Sequence, residues 1–549
     1  EVAQAAVALA RTASVDQGRP EHVGVFLIGK NRRDLDRSLR IRASPFHAAR
    51  SLVSRAALPL YVLAILTLTA LATWCVVRAS GPMDGHNGWI WLLVTAVAVS
   101  ASQLAVAVVN LLFNFFARPR PVPKLDYTQG IPAADSTMVV VPTLLTSPAA
   151  VASLIEDLEL RYLGNRDPHL YFALLTDYRD APEARQDDDE TLLELAREGI
   201  HQLNARYPRE GTITFHLFHR PRVWNPHEEL WMGYERKRGK LEQFNTLLRG
   251  DGRDRFSEVI TDASIFPSIR YVITLDTDTT LPRDAARKLV GAMAHPLNRP
   301  LLDPHTGKVE EGYAILQPRT PISLHAANRS RFSQLSCHDA GLDPYTNEVS
   351  DLYQDLFAEG SYVGKGIYDV DAFQCATNGR FPENLILSHD LVESCFARSA
   401  LITEVLLFED HPASFTAEMA RRHRWIRGDW QIAGWLLPRV PVPGKSRVRN
   451  TISALGRWKI FDNLRRSLVP PAMLATLILG WLLAPSPTGL WALTIVTFFL
   501  IPAMISGGLH LLRKPREQSI RGHLQTIGRD VARQVAEAGI SIASFPYRA

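Results

Sequence analysis

Cysteine is scarce in this chain of 549 residues, which has four. Cys75, Cys337, Cys375 and Cys395 show none of the paired spacing that zinc sites use, so a reducing compartment or buried free thiols is the default. Strong net charge is missing too. A formal balance of +5 is small for this length and does not suggest a nucleic-acid-binding protein, although the basic residues are unevenly placed. There is no internal repeat, no low-complexity tract and no signal peptide with a cleavage site. The chain begins with Glu1 rather than Met and reads as an excised or processed piece of something longer. What it has in quantity is apolar sequence: 46% of its residues, enough for several domains or for one domain with membrane segments.

The apolar residues concentrate in two pairs of long runs. Residues 57–77 and 89–116 each exceed the ~20 residues that cross a bilayer as a helix. The loop between them is nearly free of positive charge, whereas Arg118, Arg120 and Lys124 come after the second run. The positive-inside rule then puts both ends of this hairpin, and the body of the chain beyond it, in the cytoplasm. A second pair, residues 468–484 and 490–512, is joined by an uncharged turn at 485–489 and leads into Arg513, Lys514 and Arg516. Before the first pair lies a polar flank with a strand-like run at 23–28 and a basic stretch (Arg32, Arg33, Arg37, Arg40, Arg42, Arg50, Arg55). Before the second, residues 455–466 alternate cationic and bulky apolar side chains. That suits a helix in the membrane interface, with Trp458 and Phe461 down and Arg457, Lys459, Arg465 and Arg466 toward headgroups. An ordinary amphipathic surface helix is the alternative. The expected divisions are a cytoplasmic flank (1–56), a transmembrane hairpin (57–118), a catalytic body (119–440), an interfacial helix (441–466), a second hairpin (467–512) and a truncated cytoplasmic flank (513–549).

Within the body, β-forming runs at 137–143, 170–177, 213–218 and 271–275 alternate with helical patterns at 153–162 and 191–203 and with a basic helix opening at 235–245. That order predicts an α/β fold with a doubly wound, mainly parallel sheet of nucleotide-binding type, flanked by transmembrane helix hairpins.

The run Tyr271-Val-Ile-Thr-Leu delivers Asp276 and Asp278 at its carboxyl end, where open α/β sheets bind ligands. An Asp-x-Asp of hard oxygen donors suits Mg²⁺ or Mn²⁺ held jointly with substrate phosphates. A ligand-free turn rich in Asp and Thr is the plainer reading. Sugar transfer from a nucleoside diphosphate needs a cation facing the departing diphosphate. Lys240 and Arg238, just upstream in a glycine-containing loop, can pair with phosphate or form a solvated helix start. An attacking hydroxyl needs a base within reach. Asp390, at the start of a helix, is placed to be an ionised carboxylate, or else to cap that helix with Ser388 and Glu393; His389 is a second titrating group or a structural one. Arg421, Arg424 and Trp425 share a run of cations and indoles; Arg suits diphosphate and the Trp face suits sugar packing.

These four elements, in this order, resemble the processive, membrane-bound inverting glycosyltransferases related to cellulose synthase. By that resemblance Asp177 matches the early Asp that contacts the uracil or ribose side of the donor. Asp276 and Asp278 match the metal and diphosphate motif, and Asp390 the general base. Arg421, Arg424 and Trp425 match the final motif, on the donor side for the arginines and the acceptor side for the tryptophan. The acid pair of the family stands here as His389-Asp390, with only its second acid present. The wording of Leu275-Asp-Thr-Asp-Thr-Thr-Leu-Pro-Arg-Asp284, Glu359-Gly-Ser-Tyr-Val-Gly-Lys-Gly-Ile-Tyr-Asp-Val-Asp371 and Asn384-Leu-Ile-Leu-Ser-His-Asp390 looks like the glycosyltransferase region of cyclic β-1,2-glucan synthases. The resemblance implies a glycosyltransferase A type fold, UDP-glucose as donor and a growing β-glucan as acceptor. It also implies Mg²⁺ or Mn²⁺, the bacterial inner membrane with the catalytic body in the cytoplasm, and a large parent polypeptide carrying cyclisation and phosphorylase-like domains. Other β-glucan synthases (β-1,3 or β-1,4) and a non-catalytic scaffold or export channel remain open. Tyr362 and Tyr368 are conceivable points of glucan attachment or simply packed. The segment 360–366 has the look of a phosphate-binding P-loop without its spacing, and reads better as an acceptor-side loop near the active site than as an ATP site.

Overall fold

The computed structural model describes residues 1–12, 22–29, 31–39, 56–83, 87–116, 119–337, 351–386, 390–484, 489–512 and 519–549. Arg40, Arg42, Arg50 and Arg55 of the basic stretch, Arg118, Ser388, His389, most of the turn at 485–489, and Arg513, Lys514 and Arg516 lie outside the described residues.

Eight strands build the central sheet: β1 (Thr137–Leu145), β2 (Leu170–Tyr178), β3 (Phe215–Arg220), β4 (Glu258–Ile260), β5 (Tyr271–Thr274), β6 (Ile315–Arg319), β7 (Gly366–Asp369) and β8 (Ser399–Leu406). They lie in the order β8-β6-β7-β5-β1-β2-β3-β4, with six strands running one way and β7 and β4 the other. The sheet is mainly parallel, as its sequence pattern predicts.

Alternation along β1 shows why both faces are covered. Val139 and Val141 join one apolar cluster with Phe172, Leu174 and Ile273, packed under the helices α3 (Pro148–Gly164), α4 (Asp189–Arg206) and α6 (Ala285–Ala294). Met138 and Val140 point the other way, joining Tyr171, Val272 and Tyr368 under α5 (Arg236–Leu248) and α7 (Asp390–Ala397). A strand buried on both faces reads as a continuous apolar run, which is what β1, β2 and β5 supply. Ser147 caps α3 by accepting from the Ala150 amide, with Pro148 at its first position.

Beside this body stands a helical bundle. Three helices among the described residues are long and apolar enough to cross a membrane: α1 (Ala57–Ala79), α2 (Asn87–Phe116) and α9 (Ala454–Leu483). A further apolar helix, α10 (Gly489–Leu512), packs beside α9, where Trp491 lies against Gly480. The polar C-terminal segment forms one long helix, α11 (Ile520–Arg548), whose Phe545 joins the bundle core with Ala101, Met473 and Phe498. The two expected hairpins pack as one unit around α2.

Three local expectations are corrected. The run at 23–28 is partly helical (Gly24–Leu27), because Val25 and Phe26 bury against an apolar stripe on the preceding helix, Val2–Thr12. Residues 455–466 do not form a separate helix: α9 runs unbroken from Ala454 through Pro470 and Pro471 to Leu483. Nor do Lys459 and Arg465 point toward headgroups, for both are buried in pairs, Lys459 with Glu359 and Arg465 with Asp462.

Candidate active site

Sheet register brings the charged side chains together. β7 runs antiparallel to β5 and sets Gly366 opposite Thr274, so the residue before β7 meets the residues just after β5. There the buried Lys365 ammonium lies 3.1 Å from Asp276 Oδ2 and also bonds Glu409. A second ammonium, Lys237 on α5, donates to Asp276 Oδ1 at 2.5 Å and to the Gly364 carbonyl at 2.7 Å. Gly364 has φ of +84°, and a Cβ there would sit 2.7 Å from Asp390 Oδ2. Only glycine fits so close to that carboxylate in this backbone conformation. Asp276 and Asp390 thus flank one short loop, 359–366. Asp390 opens α7, at the helix end that favours a negative charge.

The turn carrying the Asp-x-Asp is fixed from behind. Arg161, buried on α3, donates to the carbonyls of Thr277 (2.9 Å) and Thr279 (3.0 Å), and Thr279 N closes the turn on the Asp276 carbonyl. Burial alone would raise the Asp276 pKa, but Lys237 and Lys365 outweigh it and hold the carboxyl below its usual range. Asp278 goes the other way. Its side chain is exposed at the surface of the turn; partial desolvation raises its pKa, Lys365 opposes this, and Asp276 and Asp410 add to it. A carboxylate among carboxylates is relieved by a cation. Among the described residues no three His, Cys, Asp or Glu side chains could hold a metal ion by themselves. Asp276 and Asp278 alone offer two carboxylates here, and both oxygens of Asp276 are already bonded, to Lys237 and Lys365.

Asp177, at the end of β2, has a different setting. Register places it beside Arg220 of β3, and the two form a bidentate pair at 2.8 Å for each bond. Lys240 closes the same carboxylate at 3.1 Å and donates to the Thr143 carbonyl at 2.5 Å. Asp177 is 1% exposed, and a Cβ on Gly233 would lie 2.1 Å from its Oδ2. Burial pulls the Lys240 pKa down to about 8, against the pull of Asp177. Lys240 sits within α5 and not in a loop; Arg238, on the same helix, pairs with Glu235 and Glu242.

The final motif lies on α8 (Phe415–Gln431), capped by Ser414. Arg421 is held by Glu418 and lies 4.8 Å over the Trp425 ring, while Arg424 and Trp425 are exposed. Arg427 pairs with Glu228 of the small hairpin (Val223–Asn225 with Leu230–Met232) that leads to Gly233 above Asp177. Tyr362 and Tyr368 are buried, the latter donating to Asn245 at 2.9 Å, so both are packed side chains.

Sequence reasoning passed over Lys237, Glu409, Arg220 and Arg161, and read the segment of Lys365 as an acceptor-side loop near the active site without giving that lysine a role. The signal for Lys237 was its spacing of three from Lys240 on one helix, which puts both on neighbouring positions of one face.

No family model matches the chain. A curated relative, cyclic β-(1,2)-glucan synthase NdvB of Rhizobium meliloti (strain 1021), is 41% identical over 539 residues, or 96% of this chain. The chain spans 18% of that protein's length. The likeness carried by the motifs thus extends over almost the whole sequence, and the chain is a relative of one section of cyclic β-(1,2)-glucan synthase.

Proposed function

We propose that this chain is the glucosyl-transferring section of a cyclic β-1,2-glucan synthase: a glycosyltransferase A type domain that moves glucose from UDP-glucose to a growing β-1,2-glucan with inversion. The observation that carries the reading is the loop 359–366, which meets Asp390 through Gly364 and Asp276 through Lys365. A base and a charge-stabilising centre brought to adjacent residues of one loop, Gly364 and Lys365, suit an in-line displacement.

In this reading Asp390 takes the proton of the acceptor 2-hydroxyl as its oxygen attacks the anomeric carbon. The bond from that carbon to the diphosphate oxygen breaks, UDP leaves with the electron pair, and an α-linked donor gives a β-linked product. Lys237 and Lys365 put two positive charges beside the leaving diphosphate, and Lys365 keeps its proton because Asp276 and Glu409 outweigh its burial. Asp278 and Asp276 would hold Mg²⁺ or Mn²⁺, which when bound neutralises charge developing on the diphosphate. The face of Trp425 offers a platform for an acceptor sugar, and Arg421 and Arg424 offer guanidinium groups to the donor phosphates.

We place the bundle in the bacterial inner membrane, with the catalytic body in the cytoplasm. Four exposed tryptophans support an interface there. Trp74 near the end of α1, Trp89 and Trp91 at the start of α2, and Trp481 at the end of α9 fall at one end of the bundle. The cyclisation and phosphorylase-like domains are assigned to the remainder of the parent polypeptide.

The test is transfer of labelled glucose from UDP-glucose by the full-length polypeptide. Asp390→Asn should cut incorporation by about 10²–10⁴-fold with UDP binding kept. Wild-type transfer by that variant would remove the base assignment. Absence of UDP release from the unaltered polypeptide with Mg²⁺ or Mn²⁺ would favour a scaffold, and linkages other than 1,2 would point to a different glucan synthase.

A further inference from the structure

Lys459 takes no part in the transfer chemistry, yet its charge is fully buried. It stands in the second turn of α9, 3% exposed, and its ammonium donates to Glu359 Oε1 at 3.1 Å and to the Gly360 carbonyl at 2.7 Å. The Tyr353 ring centre lies 5.4 Å from the same nitrogen. A buried ammonium is costly unless its charge is paired and its hydrogens are bonded, and here both conditions are met.

Both acceptors are the opening residues of the loop that flanks Asp276 and Asp390. The far end of that loop is pinned by the pairing of Gly366 with Thr274, and the near end by Lys459 together with Ser399 of β8, which accepts from the Gly360 amide at 2.8 Å and donates its hydroxyl to the Gly360 carbonyl at 3.0 Å. A segment this short, held at both ends, has little slack. Between the two pins lie Gly364, against the Asp390 carboxylate, and Lys365, on Asp276. The same helix also holds α8. Asn463 donates to Asp429 at 2.9 Å, and Trp430 Nε1 donates to Ser467 Oγ at 3.0 Å. Positions 459, 463 and 467 are spaced by four, so one stripe of α9 grips the loop and α8 together.

We propose that Lys459 is a positioning residue for glucosyl transfer. Through the loop 359–366 it sets the distance between Asp390 and the Asp276 centre, and it touches no reactant itself. The proposal rests on the glucosyl-transfer reading of the site.

The experiment uses the full-length polypeptide with Lys459→Met, which keeps the apolar stem and removes the charge, and Glu359→Gln, which keeps shape and loses the ion pair. For Lys459→Met we expect kcat to fall by about 10- to 100-fold while KM for UDP-glucose changes by less than about twofold. Glu359→Gln should show the same pattern with a smaller fall. Amide exchange at residues 360–365 should quicken in both variants while that of β1 and β2 stays as it was. A folded Lys459→Met with unaltered kcat, or unaltered exchange in the loop, overturns the positioning role. Asp390→Asn is run alongside: transfer by that variant, or none by the unaltered polypeptide, overturns the transfer reading, whereas the exchange measurement judges Lys459 independently.

Discussion

Asp177 and Asp276 end strands on either side of β1, and each holds two basic side chains. Their surroundings differ. Asp177 is sealed: both oxygens are taken by Arg220 and Lys240, and Gly233 lies on top of it. Both oxygens of Asp276 are bonded as well, to Lys237 and Lys365, but it is partly open: it neighbours the exposed Asp278, and Lys237 is itself partly exposed. The same residue type at the same edge of the sheet thus stands in two different settings. A saturated buried network fixes the fold locally, whereas a network with an open side can exchange partners with a ligand.

That contrast can be broken most forcefully at Asp177. Replacing it with Ala strands Arg220 and Lys240 as buried cations and should cost about 3–5 kcal/mol in denaturant unfolding. Asp276→Ala should cost clearly less, since Lys237 can turn to solvent, while abolishing transfer. Equal losses of stability would erase the distinction.

Next comes pH. His219, beside Asp177 and bonded to Thr176 at 2.8 Å, is pushed down to about 4 by burial. It stays neutral in the folded chain, whereas an unfolded His protonates near 6.5. Between those values the unfolded state binds the extra proton, so stability falls as pH drops from about 6.5 to about 4, by on the order of 3 kcal/mol. The loss should be complete below that window, and His219→Asn should flatten the slope. A slope unchanged by this substitution would mean that His219 does not drive it.

A smaller change in stability, with a large one in activity, is expected at the open centre. Gly364→Ala imposes a left-handed conformation on alanine, worth about 1–2 kcal/mol, and its methyl group displaces the Asp390 carboxylate. Transfer should fall by about 10²-fold. Smallest of all, Trp425→Ala on the exposed face of α8 should change stability by less than about 0.5 kcal/mol. Its effect should be confined to KM for the acceptor.

Much of the fold could be read in advance. Strands β1, β2 and β5 announced themselves as unbroken apolar runs, and each pairing of a run with a following acid put Asp177 and Asp276 at the carboxyl edge. The partners of those acids could not be read. Arg220 meets Asp177 through strand register, and Lys365 meets Asp276 because β7 enters antiparallel some ninety positions later. The basic helix was legible, its phase was not: Arg238 turns to Glu235 and Glu242, and Lys237 takes the place by Asp276. The cationic stretch before the second apolar pair misled because charge alone does not say whether a side chain finds a buried partner, as Lys459 and Arg465 do.

The place of β7 in the sheet bears on how the chain is made. It fits between β5 and β6, both synthesised earlier, so each keeps a bare hydrogen-bonding edge until residues 366–369 emerge. Such edges attract other strands, and long-range pairings close slowly. Since Lys365 precedes that strand directly, a ribosome-bound chain stopped short of it would leave two bare edges and Asp276 without one of its two ammonium partners.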